Sequence, residues 1–236
     1  MSNHLRHNQS CLLEVIACTV EDAIEAERGG AGRLEVISRF DVGGLTPAPE
    51  LVREIKAKVS IPVRVMLRES EGYGVAGEKE IEKLCAAARE FNEIGVDGVV
   101  LGFLRGAAEI DLALTEKILA CAPGLKATFH HAFEDARDKF SAIEKLKDLP
   151  QIDRILAHGG QAAWAEKIQR LAEYASAAQP EIEILAGGGV DLQVISLIRE
   201  KTPVREFHTG RAARIDGKVD RAQVAMLAAA LTENYD

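Results

Sequence analysis

The chain has no C-x-x-C pair, no basic run longer than two residues and no stretch near the roughly 20 apolar residues that span a membrane. Each absence removes a class of function. Lacking both a span and a polybasic patch, the protein is expected neither in a membrane nor docked on one. Four cysteines (Cys11, Cys18, Cys85 and Cys121) in 236 residues are too few for a disulfide scaffold. They suit small apolar filler in a reducing cytoplasm. A net charge of −8 and a pI near 5.4 lack the basic footprint of a nucleic-acid binder. The opening MSNHLRHNQS is polar and precedes only a short apolar run, unlike a secretory signal. Residues 1–10 are expected to form a frayed tail, with His4 and His7 outside any site. No Walker sequence, dinucleotide fingerprint or nucleophile elbow is present.

What is present is an alternation of two hydrophobic periods. Apolar, β-branched runs at 12–18, 33–38, 61–67, 98–103, 125–130, 152–157, 182–186 and 204–208 read as strands. Between them lie helical patterns. Thr19 caps the first, 20–28, and Gly29-Gly30 ends it. Pro47 suits the first turn of a helix reaching Lys58. Further helices are expected at 78–94, 112–121, 139–146, 161–178, 192–201 and 221–231. Eight βα units in this length predict a single-domain (β/α)8 TIM-type barrel over residues 11–236, with an open doubly wound sheet as the alternative.

Several polar residues interrupt the strands or close them. Glu14, Glu35 and Glu206 stand in otherwise apolar strands one, two and eight, which a closed barrel makes neighbours. A buried carboxylate is costly unless paired, so Arg33, Arg64 and Arg68 are candidate partners. Two outcomes fit: a structural ion network, or a pocket with an acid or base of shifted pKa. His130, His131, His158 and His208 lie at strand ends, where parallel α/β proteins bind ligands. A one-residue register decides whether His130 or His131 faces inward. Three imidazoles from His130 (or His131), His158 and His208, with Cys18 in reach on strand one, could hold a metal. Gly187-Gly188-Gly189 after strand seven and Thr209-Gly210 after strand eight suit an anion site built from backbone N–H groups.

The runs Leu13-Glu14-Val15, Glu27-Arg28-Gly29-Gly30-Ala31-Gly32-Arg33-Leu34-Glu35 and Gly43-Gly44-Leu45-Thr46-Pro47 occur in this order. Ile61-Pro62-Val63, Met66-Leu67-Arg68, Thr128-Phe129-His130 with Ala132-Phe133, Gly187-Gly188-Gly189-Val190 and Glu206-Phe207-His208 follow. Over residues 12–212 this pattern resembles the CutC copper homeostasis family. The resemblance implies a (β/α)8 barrel, a cytosolic role in copper tolerance or copper binding, and a homo-oligomer. Copper is the implied cofactor, with His130, His208, His158 and Cys18 as contacts. The family's cysteines at the ends of strands one and two, suggested as copper ligands, correspond to Ile16 and Ile37 here. Soft thiolates select Cu(I), so the retained Glu14, Glu35, Arg68, His130 and His208 equally describe a second role. In it, Arg68 and the glycine turn hold a small anionic, phosphorylated metabolite. Glu14 or Glu35 acts as general base, and His130 or His208 as acid.

Overall fold

The computed structural model describes residues 11–232. The expected tail at 1–10, with His4 and His7, and the last four residues lie outside the described residues. Eight parallel strands close into a barrel: β1 (Leu12–Ala17), β2 (Arg33–Val36), β3 (Val63–Met66), β4 (Gly98–Leu101), β5 (Lys126–Phe129), β6 (Ile152–Ala157), β7 (Glu183–Ala186) and β8 (Glu206–Thr209). Closure is made by β1 against β8, where Glu14 stands opposite His208. That pairing rules out the open doubly wound sheet. Helices α1 (Val20–Arg28), α2 (Pro49–Lys56), α3 (Glu78–Ile94), α4 (Leu112–Leu119), α5 (Lys139–Lys147), α6 (Trp164–Ala178), α7 (Leu192–Lys201) and α8 (Arg221–Ala230) surround it.

The strands alternate as a barrel requires. Leu13, Val15, Leu34, Val36, Val63, Val65 and Phe207 join the apolar layer between sheet and helices, all buried. Glu14, Arg33, Arg64 and Glu206, the residues between or beside them, bond across strands instead, Arg33 to Glu14 and Glu206 and Arg64 to Asp153. Local chemistry sets the helix starts. Thr19, Asp111, Asp138, Asp191 and Asp220 each cap a helix by accepting a backbone N–H.

The second helix corrects the sequence reading, because Pro49 rather than Pro47 occupies its first turn. Thr46 is held extended by a backbone bond to the Arg68 carbonyl at 2.8 Å and by side-chain bonds to the same residue. The chain therefore cannot turn helical until Ala48. Elsewhere β1 to β5 end a residue or two inside their apolar runs, β8 runs one residue past its own, and α6 starts at Trp164, after the Gly159-Gly160 loop. Periodicity also missed the two-residue hairpins at 104–110 and 214–219 and a one-turn helix, Ala132–Asp135.

The barrel interior is filled by charge rather than by branched aliphatics. Arg33 donates to Glu14 and, at 2.7 Å, to Glu206. Arg154 grips Glu206 with two bonds at 2.6 and 2.7 Å and also reaches Asp153. Arg64 takes Asp153 in a two-bond fork, both 2.7 Å, and donates to Thr128. Three guanidiniums thus meet three carboxylates. Of the partners expected for the strand glutamates, only Arg33 serves. Arg64 belongs to Asp153, Arg68 pairs with no carboxylate among the described residues, and Arg154 is the partner the sequence reading missed.

Removing one member leaves a buried charge uncompensated, which costs more than the pair contributes. Arg33→Met is expected to lower unfolding free energy by about 3–5 kcal/mol. Urea unfolding of this variant and of Glu14→Gln/Arg33→Met checks it, the double variant being the more stable of the two.

Candidate functional site

A cavity of about 590 Å³ opens at the C-terminal ends of the strands. Glu35, His130, His131 and His208 line one part of it, and Gly188, Gly189, Gly210 and Arg211 another. Ile16 and Ile37 also face it. The structure therefore brings together Glu35, His130, His208, Gly188, Gly189, Thr209 and Gly210, whereas Glu14 and Gly187 are not among the lining residues and the Gly187 N–H donates to the Ala157 carbonyl. His158 and Cys18 are not among the lining residues.

Glu35 and His208 form the polar centre. His208 Nδ1 donates to Glu14 Oε1 at 2.8 Å, and its Nε2 lies 3.6 Å from Glu35 Oε2. The register produces this: β1 places Glu14 beside His208 on β8 and Ile16 beside Glu35 on β2. The two carboxylates have opposite fates. Burial alone would raise Glu14, but the Arg33 charge and the bond from His208 outweigh it and hold its carboxyl well below the usual range. Glu35 has no guanidinium in bonding contact among the described residues. Burial, with the nearby Glu14 charge, pushes it from 4.5 to about 7 against the pull of His208. Burial acts to lower His208, yet the charges of Glu35 and Glu14 prevail and raise it. A carboxyl raised to about 7 thus lies 3.6 Å from a histidine whose charged form its two carboxylate neighbours favour, the pattern of an acid–base pair.

Both candidate histidines of the fifth strand line the cavity, so the register question has the answer "both". The one-turn helix starting at Ala132 bends the chain there. His130 Nδ1 accepts the Ala132 backbone N–H at 3.2 Å, so the neutral ring carries its proton on Nε2, which is buried without a partner among the described residues. Burial lowers His130 well below the ordinary histidine range. Burial and the neighbouring His208 and His158 lower His131 to about 3. Both rings are thus neutral at physiological pH. Gly102 is fixed by this packing, because a Cβ there would lie 2.6 Å from His130 Nδ1.

Arg68 also lines the cavity, but its guanidinium is engaged by the carbonyls of Val42, Gly44, Glu71 and Gly72. It clamps two loops together and stacks on Tyr73 at 5.2 Å. The cation open to a ligand is Arg211, exposed at the mouth and without an ion pair among the described residues. It follows Gly210, across from Gly188 and Gly189, whose φ angles of +73° and +95° favour glycine. Among the described residues, the N–H groups of Gly188, Gly189 and Val190 donate to no protein acceptor. A cation beside free amide donors forms an anion seat.

The metal quartet does not assemble. Both His208 nitrogens face carboxylates. His158 is held aside, its Nδ1 3.0 Å from the Gly160 carbonyl and its loop pinned by Glu134. Cys18 packs with Ile37, Met66 and Val100, and burial pushes its thiol up. Among the described residues no three His, Cys, Asp or Glu side chains converge to hold a metal ion. The donor set thus does not fit copper.

Sequence reading missed His131 as a second lining ring, Arg211 and the Arg154–Asp153 link. Adjacent charges in Ile152-Asp153-Arg154-Ile155 were the available signal for the last.

The CutC family model matches residues 11–213. Copper homeostasis protein cutC homologs from Homo sapiens and Mus musculus are each 34% identical over 226 residues. Those alignments cover 95% of this chain and 82% and 83% of the two relatives, in that order. A solved CutC structure from Streptococcus agalactiae superimposes with a TM-score of 0.77 at 29% identity. It covers 85% of this chain and 98% of that one.

The raised Glu35 predicts an inverted pH dependence. Between 4.5 and about 7 the folded state holds a proton that the unfolded chain has released, so Glu35 makes stability fall as pH rises through that window. The raised His208 acts in the same direction, its contribution lost as pH rises through its folded pKa. Glu35→Gln is expected to flatten this decline and to be the more stable protein at pH 8. Denaturant midpoints from pH 4.5 to 8 check it; parallel curves for the two proteins would contradict it.

Proposed function

The chain belongs to the CutC family, and on that premise we propose that its cavity binds a small anionic, phosphorylated metabolite and moves a proton on it. The observation that carries the reading is Glu35: a buried carboxylate facing the cavity, free of arginine, 3.6 Å from a histidine that a second glutamate orients. The seat of Gly188, Gly189, Val190 and Arg211 takes the phosphate. Glu35, ionised in part at neutral pH, accepts a proton from a substrate carbon beside a carbonyl. The electron pair moves to the carbonyl oxygen, which takes the Nε2 proton of His208. Glu14 keeps His208 in the right tautomer and stabilises its charged form. The unpartnered Nε2–H of neutral His130 supplies a donor for a substrate oxygen.

The relatives' names favour copper as cargo. Binding through His130, His158, His208 and Cys18 is the second reading, and the engaged nitrogens of His208 and the half-buried thiol of Cys18, packed against Ile37, Met66 and Val100, count against it. The unpaired cysteines Cys11, Cys18, Cys85 and Cys121 support a reducing, cytosolic location.

Thermal-shift measurement against inorganic phosphate and a panel of sugar phosphates, followed by proton NMR of the stabilising compounds in D2O, tests the reading. Phosphorylated compounds are expected to raise the melting temperature, less so in Arg211→Ala. Deuterium is expected to enter the carbon beside the carbonyl, about 10²–10⁴-fold more slowly in Glu35→Gln, with binding retained. No stabilisation by any phosphorylated compound would refute the anion seat; unchanged exchange in Glu35→Gln would refute the base.

A further inference from the structure

The polar centre and the anion seat leave one wall of the cavity without a role. Ile16 near the end of β1, Ile37 just after β2, Phe40 in the loop beyond and Met66 at the end of β3 line it there. Ile37 and Met66 are buried, whereas Ile16 and Phe40 are only partly covered. With Val100 they pack as a group of their own, separate from the main core between sheet and helices. Phe40 is held firmly. It opens the one-turn 3₁₀ segment Phe40–Val42, and the Arg214 guanidinium stacks on its ring at 4.6 Å. Arg214 is itself fixed, donating to the carbonyls of Gly210 and Ile16 at 2.8 Å and to Asp22 at 3.3 Å. The wall also touches the anion seat, because a Cβ on Gly210 would lie 2.9 Å from both Ile16 Cδ1 and Phe40 Cε2.

We propose that Ile16, Ile37, Phe40 and Met66 form the subsite for an aromatic ring carried by the substrate. The assignment rests on the reading of the same cavity as an anion site and narrows its substrate class to a phosphorylated carbonyl compound bearing an aryl group. Size supports it. A cavity of about 590 Å³ lies in the range that encloses drug-sized ligands, more than a phosphate on a short carbonyl chain fills. Position supports it as well. Ile16 borders the seat at Gly210 and stands opposite Glu35 in the β1–β2 register, so the wall adjoins both the phosphate and the reacting carbon. The partly covered faces of Ile16 and Phe40 are apolar surface in contact with water, and covering them contributes affinity in proportion to their area. The side chains select a ring over a saturated group. Phe40 offers a π-system and Met66 a polarizable thioether, both of which favour aromatic partners.

Calorimetric titration of the full chain with inorganic phosphate, methyl phosphate, benzyl phosphate and cyclohexylmethyl phosphate tests the subsite. Benzyl phosphate is expected to bind about 10–100-fold more tightly than methyl phosphate. The saturated cyclohexylmethyl ester is expected to bind several-fold more weakly than the benzyl ester. Phe40→Ala is expected to lose most of the benzyl gain and Ile16→Thr part of it, with inorganic phosphate bound as in wild type. Circular dichroism verifies that both are folded. A separate probe reads the wall without the seat: indole, followed through the methionine methyl signals of carbon-13-labelled protein, with Met66→Leu as assignment. Indole is expected to shift the Met66 signal and to leave that of Met226, exposed on α8, in place. Failure of the two simple phosphates to bind refutes the anion seat, while a Met66 shift with indole still upholds the subsite. A Met66 signal that indole does not move overturns the proposal. So does a benzyl ester that binds no tighter than its methyl or cyclohexylmethyl counterpart, or a benzyl gain that persists in Phe40→Ala.

Discussion

Arg33 is the residue on which the interior depends. Its side chain is almost wholly buried, and it bonds Glu14 on one side and Glu206 on the other. A guanidinium out of water is tolerable only when its donors are met by carboxylates in good geometry, and the same holds for each carboxylate in turn. From Arg33 the chain of pairs passes through Glu206, Arg154 and Asp153 to Arg64, joining strands β1, β2, β3, β6 and β8. Closure and charge satisfaction are therefore one event. The barrel cannot shift its register by a residue without turning these charges into the apolar layer beneath the helices.

That balanced network explains why the two glutamates that flank His208 behave differently. Glu14 is the member of the network that faces His208, and Arg33 fixes it as an anion. Glu35 lies one strand away, faces the cavity and receives no guanidinium, so burial dominates and the proton stays to about neutrality. His208 links the two: oriented by the fixed anion at one nitrogen, it faces the titrating carboxyl with the other. The two neutral histidines beside them add donors and acceptors without adding charge. In this way a structural ion network below sets the protonation of a chemical site above.

The eight units were legible because the chain changes period sharply. Runs such as Val63-Arg64-Val65-Met66 alternate with helices that carry their own caps, as at Thr19. The strand glutamates and the strand-end histidines were also legible, since charge inside an apolar run is conspicuous. Which arginine meets which carboxylate was not. Arg64 reaches Asp153 across 89 positions, and only closure brings them together. The same limit separates Glu14 from Glu35: each is a glutamate in an apolar strand, and the presence or absence of Arg33 in contact distinguishes them. Arg68 resembles an anion ligand in sequence, yet its donors are taken by loop carbonyls. Arg211, at the end of an ordinary turn, has no ion-pair partner among the described residues.

The central claim is that Glu35 retains its proton to near neutrality while Glu14 beside it stays ionised. Carbon-13 NMR titration of glutamate carboxyl signals, assigned with Glu35→Gln and Glu14→Gln, measures this directly. The account predicts a Glu35 midpoint near 7 and no Glu14 transition down to the acid limit of folding. A Glu35 midpoint in the ordinary carboxylate range, near 4.5, would contradict it.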